Sequence, residues 1–271
     1  MKKIILIVVF VLLICIACYS KISVPHYSLK SAKIKGTKIN LVLLTDLHSA
    51  IYGKNQQKLL EHVKEQNPDL VLLVGDIADD KVSIRGMSLL LEGIQGLCPI
   101  YYTTGNHEYW SGDIQSIRTE IEKYGVKILS DEYVEIQVKG TPLIIAGLED
   151  PDKQSYETPN YSQLDAMETA FGGLDELEGY KILLAHRPER IEQYLEYPFD
   201  LVVSGHAHGG QVRIPYLLNG LYAPNQGVFP RYAGGLYPHG EATHIVSRGL
   251  AKNWIPRVFN RPEVVSITLE V

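Results

Sequence analysis

Aspartate, asparagine and histidine side chains recur in five short motifs along the sequence. The motifs are TDLH, VGDIAD, TGNHE, LLAHRPE and SGHAHGG, which contain Asp46, His48, Asp76, Asn106, His107, His186, His206 and His208. Carboxylate oxygens combined with imidazole nitrogens suit divalent transition metals such as Mn, Fe, Zn or Ni, whereas Mg or Ca alone favours a shell of oxygens. A carboxylate shared by two ions about 3.5 to 4 Å apart promotes displacement at phosphorus. The residue types therefore predict two divalent transition-metal ions as cofactors.

The spacing of the motifs indicates that they share one site. Asp76 follows Asp46 by 30 residues, and Asn106 follows Asp76 by the same number, which is the length of one strand and one helix. Each motif comes directly after an apolar run. Open α/β sheets bind their ligands at the carboxyl ends of the strands. A single Gly-Asp pair or strand-end His is usually structural, but five such motifs in order argue for a common site.

The elements that must position these residues begin with an alternation of strands and helices. Apolar runs at 39–44, 69–74 and 100–104 alternate with helical spacing at 54–66, at 82–97 and from 113 onward. This rhythm predicts a parallel sheet with helices on its faces. Further strands are predicted at 127–129, 133–138, 143–146, 181–184, 201–203, 244–247 and 264–269, with a helix at 162–171. No break in composition divides residues 39–271, which we take as one domain.

The ordered motifs D-x-H, G-D, G-N-H-E, H and G-H-x-H resemble the calcineurin-like metallophosphoesterase superfamily over residues 39–271. More narrowly, GHAHGGQVRIP, SRGL at 247–250 and PRVFNRPEVVSITL resemble the membrane-associated bacterial branch of that superfamily. The resemblance implies an α/β fold with a central β-sandwich of two mixed sheets flanked by helices. It also implies a metal-dependent hydrolase that acts on a phosphomonoester, a phosphodiester or a pyrophosphate.

The same resemblance implies a role for each motif residue. One ion would be held by Asp46, His48, Asp76 and His208, and the other by Asp76, Asn106, His186 and His206. A hydroxide between the ions would attack phosphorus, and His107 would act as the general acid that protonates the leaving oxygen. Asp79 and Glu108 are the acids we expect to orient the His107 imidazole.

The amino-terminal segment combines a basic tip with fifteen consecutive apolar residues, 4–18. This length lies between the core of an export signal, about 7–15 residues, and a full membrane span of roughly 20. Residues 1–20 are therefore predicted to be a signal sequence or a transmembrane anchor. In addition, ICIAC at 14–18 resembles the lipobox of bacterial lipoproteins, which would place a lipid on Cys18. Residues 21–38 are predicted to be a tether.

The charge and composition of the chain limit the classes of partner that it can bind. The 31 acidic side chains outnumber the 26 basic ones, which argues against binding of nucleic acid. Residues 21–45 contain five Lys and no acid, and such a segment either attracts anionic lipid head groups or is a solvated linker. We expect a phosphorylated small molecule or a lipid-linked substrate, and a membrane, as partners. The alternative is a membrane-tethered protein that binds metal or phosphate without turnover.

The amino-terminal segment and residues 212–240 give expectations about location and substrate access. The short basic tip looks like a signal and favours an extracytoplasmic catalytic domain, although the Lys residues after the apolar run would by the positive-inside rule retain it in the cytoplasm. Residues 212–240, rich in Gly, Pro and Tyr, are too long for an ordinary connection and are predicted to form a wall of the binding site.

Overall fold

Two six-stranded sheets, each with strands of mixed direction, face each other at the centre of the computed structural model, which describes residues 2–252 and 255–271. In chain order the strands are β1 (His26–Lys30), β2 (Ile39–Leu44), β3 (Leu70–Val74), β4 (Ile100–Thr103), β5 (Lys127–Ile128), β6 (Glu132–Val138), β7 (Thr141–Leu148), β8 (Tyr180–Ala185), β9 (Leu201–Ser204), β10 (Tyr222–Ala223), β11 (Gly227–Val228), β12 (Gly235–His239), β13 (Ala242–Val246) and β14 (Val265–Glu270). The helices are α1 (Lys2–Ala17), α2 (Gln57–Glu65), α3 (Arg85–Ile94), α4 (Asn106–Trp110), α5 (Ile114–Glu122), α6 (Lys153–Tyr156), α7 (Gln163–Phe171) and α8 (Ile191–Tyr194).

The strand order is β1-β14-β2-β3-β4-β5 in the first sheet and β12-β13-β9-β8-β7-β6 in the second. Strands β2 to β5 are parallel, as the alternation of strands and helices predicts. Strands β7, β8, β9 and β13 are parallel in the second sheet, and antiparallel β6 and β12 lie at its edges. The α/β class with two mixed sheets flanked by helices is confirmed.

Apolar side chains on the facing sides of the two sheets form the central core. Leu41, Leu72 and Val203 are fully buried members of this layer. The outer face of the first sheet packs against α2, α3 and α5, and that of the second packs against α7 and α8. Because both faces of β3 are covered, its five residues are all apolar and all buried.

The helix predicted at 82–97 is shorter in the structure, where α3 runs from Arg85 to Ile94. The reason is an acidic side chain upstream. The Asp79 carboxylate accepts hydrogen bonds from the backbone N–H groups of Lys81 and Val82, and this turn competes with helical hydrogen bonding.

Residues 21–38, predicted to be a tether, contain an edge strand of the first sheet. Strand β1 pairs in parallel with β14, and Ser28 lies opposite Thr268. Only Leu29 of its five side chains is buried, so the apolar pattern of this edge strand is too sparse to predict it. The flanking Ile22 and Ile34 are buried as well.

Helix α1 comprises 16 residues whose described side chains are almost all exposed. The backbone N–H of Phe259 donates to the carbonyl of Ala17, 2.6 Å away, at its carboxyl end. Within the described part of the chain, α1 included, there is no helix with the length and apolarity that a membrane span requires.

His244 gives the fold a testable pH dependence. Its ring is fully buried on β13, with Nε2 3.0 Å from the Ser204 hydroxyl, and burial lowers its pKa to about 3. Since the unfolded state takes up this proton first as pH falls below about 6.5, His244 makes stability decrease by about 1.4 kcal/mol per pH unit down to its folded pKa. We expect His244→Gln to reduce the loss of unfolding free energy between pH 7 and 5.5 by about 1 kcal/mol.

Urea denaturation at the two pH values measures this difference. His26→Gln is the matched control, because His26 is exposed on β1. If the free energy of unfolding of His244→Gln fell between pH 7 and 5.5 by as much as that of the wild type, the role assigned to His244 would be contradicted.

Candidate metal centre

The predicted site residues lie where the carboxyl ends of strands from both sheets meet. The positions after β2, β3, β4, β8 and β9 are occupied by Asp46, His48, Asp76, Asn106, His107, His186, His206 and His208. Apart from partly exposed His48, His107 and His208, these residues are buried. The facing sheets therefore bring together side chains that are far apart in the sequence.

The backbone bends sharply at the site. Positive φ angles occur at Asp46 (50°), His48 (47°), Asp76 (53°), His206 (64°) and His208 (48°). Non-glycine residues adopt this left-handed conformation at a cost of order 1–3 kcal/mol each, and such residues cluster at functional sites. The local strain turns these side chains away from the strand direction and toward one another.

Glycine permits the close packing of the turns. A Cβ at Gly75 would overlap the ring of His186, and one at Gly105 would overlap the carboxylate of Asp76. These two positions must lack a side chain, because the backbone at Gly75 approaches His186 of the second sheet and the backbone at Gly105 approaches Asp76 after the neighbouring strand of the first sheet.

Two groups of metal-binding atoms share Asp76. In the first, one atom each from Asp46, His48, Asp76 and His208 all lie within 4.8 Å of one another. In the second, the same holds for Asp76, His186 and His206. His186 Nε2 is 3.1 Å and His48 Nε2 3.7 Å from the same oxygen, Asp76 Oδ2. The Asp76 carboxylate thus lies between imidazoles from both groups.

Several ligand atoms of these groups are buried and have no hydrogen-bond partner. They are His48 Nε2, Asp76 Oδ2, Asn106 Oδ1 and His186 Nε2. Buried polar atoms without partners are costly, by about 1–3 kcal/mol each. A divalent ion in each group would satisfy them, and Asn106 Oδ1 would complete the second group. The residues present therefore fit a pair of divalent metals.

Three of the histidines are oriented by a hydrogen bond at the ring nitrogen that does not bind metal. Two of them are His48 and His186. His48 Nδ1 is 3.0 Å from Asp79 Oδ2, and His186 Nδ1 is 2.9 Å from the carbonyl of Val74. Each of these nitrogens donates its proton to the oxygen, so Nε2 is the ring nitrogen that would bind an ion, with loss of the Nε2 proton where the ring is charged. Asp79 therefore orients His48.

His206 is held in the opposite tautomer. Its Nε2 is 2.8 Å from the side-chain oxygen of Asn225, so Nδ1 is left unprotonated. Arg187 holds Asn225 in place, because its Nη1 donates to the same oxygen at 2.7 Å. The Arg187 guanidinium is itself paired with the buried carboxylate of Asp150 at 2.6 Å.

Charge in the site is concentrated on Asp76 and His186. Burial raises the pKa of the Asp46 carboxyl. Burial acts the same way on Asp76, but the adjacent His186 imidazolium holds the pKa of this carboxyl well below its usual range. Burial would lower the pKa of His186, yet the Asp76 carboxylate raises it to about 10. Burial holds the pKa of His206 and His208 well below the ordinary value, so both present neutral nitrogens.

His107 lies at the exposed edge of the centre. Its Nδ1 is 2.6 Å from Asp80 Oδ1 and 3.9 Å from Asp79 Oδ2, and its ring centroid is 4.7 Å from that of Trp110. Its side chain is 19% exposed, more than that of any metal-binding histidine described above, which suits a group that meets a substrate.

The expectation that Asp79 and Glu108 orient His107 is not what the structure shows. Asp79 is hydrogen-bonded to His48, and Asp80 is the partner of His107. The buried Glu108 carboxylate accepts hydrogen bonds from the backbone N–H groups of Asp76, Ile77, Ala78 and Gly105. Because Glu108 occupies the first turn of α4, its side chain points back to the loop after β3 and fixes that loop.

Sequence reasoning missed Asp80, Arg187 and Asn225. Asp80 and Arg187 adjoin motif residues, so their position was a usable signal. Asn225 lies in the long segment 212–240, where no motif marks it, and only the fold brings it to His206.

Asn225 should be required for tight binding of one ion. We expect Asn225→Ala to weaken one of two metal-binding steps by about 10- to 100-fold, since His206 loses the hydrogen bond that fixes its tautomer. Calorimetric titration of metal-free protein with Mn²⁺ measures both steps. Asn219→Ala is the matched control in the same segment, because Asn219 contacts Arg213 and Tyr237 instead. Equal affinities in Asn225→Ala and wild type would contradict the role.

Comparison with known proteins agrees with this geometry. The family model described as calcineurin-like phosphoesterase matches residues 39–210. The metallophosphoesterase YkoQ of Bacillus subtilis is 30% identical over 234 residues, which cover 84% of this chain and 82% of that protein. A Danio rerio protein named as a transmembrane protein with metallophosphoesterase domain is 31% identical over 242 residues, or 86% of this chain and 53% of that protein.

Solved structures share the fold at low identity. The NAD nucleotidase of Haemophilus influenzae aligns with a TM-score of 0.53 at 16% identity, over 79% of this chain and 46% of that one. The sulfate thiohydrolase SoxB of Thermus thermophilus aligns with a TM-score of 0.51 at 13% identity, over 85% and 56%. The chain spans about half the length of these two proteins. Together with the family-model match and the similarity to YkoQ, the observations show that this chain belongs to the calcineurin-like phosphoesterase family.

Proposed function

We propose that this protein hydrolyses phosphoester bonds with two divalent metal ions held on either side of Asp76. The observation that carries the proposal is the pair of ligand groups that share this carboxylate and contain buried, unpartnered ligand atoms. Asp46, His48 and His208 complete one group, and the other contains Asn106, His186 and His206. Ions bound there would polarise a phosphoryl group and lower the pKa of water.

The His107–Asp80 pair supplies the proton for the leaving group. The Asp80 carboxylate accepts the Nδ1 proton at 2.6 Å and fixes the orientation of the ring. The other nitrogen, Nε2, is then the atom that donates to the leaving oxygen. The backbone N–H of His107 also donates to Asp76 Oδ1 at 2.9 Å, which ties the acid to the metal-binding carboxylate.

The presence of this acid supports catalytic turnover rather than binding of metal or phosphate alone. A protein that only held metal or phosphate would need the ligand groups but not a partly exposed histidine paired with a carboxylate. The substrate class is a phosphomonoester, a phosphodiester or a pyrophosphate, either small or lipid-linked. A panel with one substrate of each class, assayed with Mn²⁺, Zn²⁺ and Ni²⁺ in turn, chooses among them.

We also propose that residues 1–20 attach the protein to a membrane, with the catalytic domain on the extracytoplasmic side. The basic tip, the exposed apolar surface of α1 and the lipobox-like sequence before Cys18 support this. Protease added to intact cells should degrade the domain, and protection until lysis would place it on the cytoplasmic side.

Removing the shared carboxylate should disrupt both metal sites. We expect wild-type protein to contain two ions per chain and Asp76→Asn to retain fewer than one, because the amide carries no charge to share between them. Elemental analysis of purified protein measures the content. Asp69→Asn, just before the opposite end of β3, is the control and should retain two. Two ions in Asp76→Asn would contradict the shared site.

Removing the proposed acid should separate chemistry from metal binding. We expect His107→Gln to lower kcat about 10²- to 10⁴-fold while two ions remain bound, since His107 donates a proton but holds no metal. Steady-state assays on a phosphodiester with a poor leaving group test this. His62→Gln on α2 is the matched control. Full activity of His107→Gln would remove His107 from the mechanism.

A further inference from the structure

Four basic side chains surround the carboxyl end of α1. They are Lys21, Lys252, Arg257 and Arg261, which come from two segments at opposite ends of the chain. No carboxylate lies within 4 Å of any of them, and the described residues include every Asp and Glu. Arg261 donates to the carbonyls of Lys21 and Ile22, and the Lys252 ammonium lies 4.0 Å from the centre of the Tyr52 ring. This basic collar therefore carries positive charge that no ion pair neutralises.

Arg257 is the buried member of the basic collar. It is only 8% exposed, and its Nη1 donates to the carbonyl of Arg248 at 2.8 Å. Its Nε and Nη2 have no hydrogen-bond partner. Burying an arginine without an anion is costly, and such a guanidinium favours a ligand that supplies one.

A cavity of about 320 Å³ lies at Arg257 and carries no acidic side chain among its described lining residues. Lys252 lines it beside Arg257, together with Tyr52, Ser20 and Cys18. Its two cations and its lack of acids select an anion. Phosphate suits the arginine, because a guanidinium can donate two parallel hydrogen bonds to phosphate oxygens.

An apolar groove runs along α1 next to this cavity. Its helical wall consists of Leu12, Cys15 and Ile16, which lie on one face of α1, and Tyr19 follows just after the helix. Pro215 and Phe259 form the domain side. The groove has a volume of about 540 Å³. A phosphate site at the base of an apolar helix, with an apolar groove beside it, is complementary to an amphiphile. The cavity suits its charged head, and the groove suits its hydrocarbon tail.

Two of the lysines in the segment 21–38 are neutralised by acids and do not add to the charge of Lys21. Lys33 is paired with Asp200 at 2.8 Å, and Lys38 is paired with Glu270 at 2.6 Å. Tertiary contacts neutralise these two, while residues 252–261 bring unpaired cations to the base of α1. The unpaired positive charge at the base of α1 is thus assembled by the fold.

We propose that the cavity between Lys252 and Arg257 binds the phosphate of an anionic phospholipid, whose acyl chains lie in the groove along α1. This inference rests on the membrane attachment in the proposed function, with α1 retained in the chain, and is independent of hydrolysis. Bound lipid orients the domain on the membrane surface, because the head group is held by residues of the domain and the chains by the anchor.

Lipid binding by the full chain in detergent tests the proposal. Native mass spectrometry with added phosphatidylglycerol or phosphatidylcholine counts bound lipids and gives their apparent affinities. We expect wild-type protein to prefer phosphatidylglycerol, and Lys252→Gln to weaken that binding about fivefold, the effect of one basic residue near an anionic lipid surface. Lys252→Arg should restore it. Arg257→Gln should weaken it further, and its content of two metal ions would show that it is folded.

Lys127→Gln, at the far edge of the first sheet, is the control and should bind phosphatidylglycerol as wild type does. Equal binding of the two lipids by wild type, or unchanged preference in both Lys252→Gln and Arg257→Gln, would overturn the proposal. So would competition by millimolar inorganic phosphate with an affinity equal to that of the lipid, which would assign the cavity to a soluble anion. Hydrolysis of a soluble phosphodiester without phospholipid is measured in parallel, so that a failure of the enzyme proposal is seen separately.

Discussion

The carboxylate of Asp76 is the group on which the centre of this structure depends. It follows β3 of the first sheet, yet its Oδ2 lies 3.1 Å from His186, which follows β8 of the second. The ring of His186 in turn donates to the carbonyl of Val74, at the end of β3. The two sheets are therefore joined at their carboxyl ends by polar contacts, whereas apolar packing holds them together elsewhere.

A buried carboxylate in this position constrains the surrounding backbone. The Glu108 carboxylate fixes the loop after β3, because backbone N–H groups of that loop donate to it. Glycine at 75 and 105 keeps side-chain atoms out of the space that His186 and Asp76 occupy. The positive φ angles at Asp46, Asp76 and His206 are strain that packing of both sheets maintains. The two carboxylates and the several imidazoles of the site lie close together, and their coordination of divalent cations would stabilise this arrangement.

Residues 21–38 take part in the fold of the domain. Strand β1 completes the first sheet, and Arg261 and Phe259 hold the backbone at the end of α1. These hydrogen bonds connect the carboxyl end of α1 to the domain. With phospholipid bound at the basic collar, the metal centre would keep a fixed position relative to the membrane, which suits a substrate that is itself lipid-linked.

The sequence by itself determined the family, the candidate metal-binding residues and most of the strands that position them. Motif residues such as Asp46, Asp76 and His206 follow apolar strands, and both the strands and the identity of the side chains are local properties of the chain. Local patterns could not show that Asp80 and not Glu108 reaches His107, or that Asn225 sets the tautomer of His206. They also could not show that Lys33 and Lys38 are neutralised while Arg257 is not. These features depend on which distant residues the two facing sheets bring within hydrogen-bonding distance, and only the tertiary structure decides that.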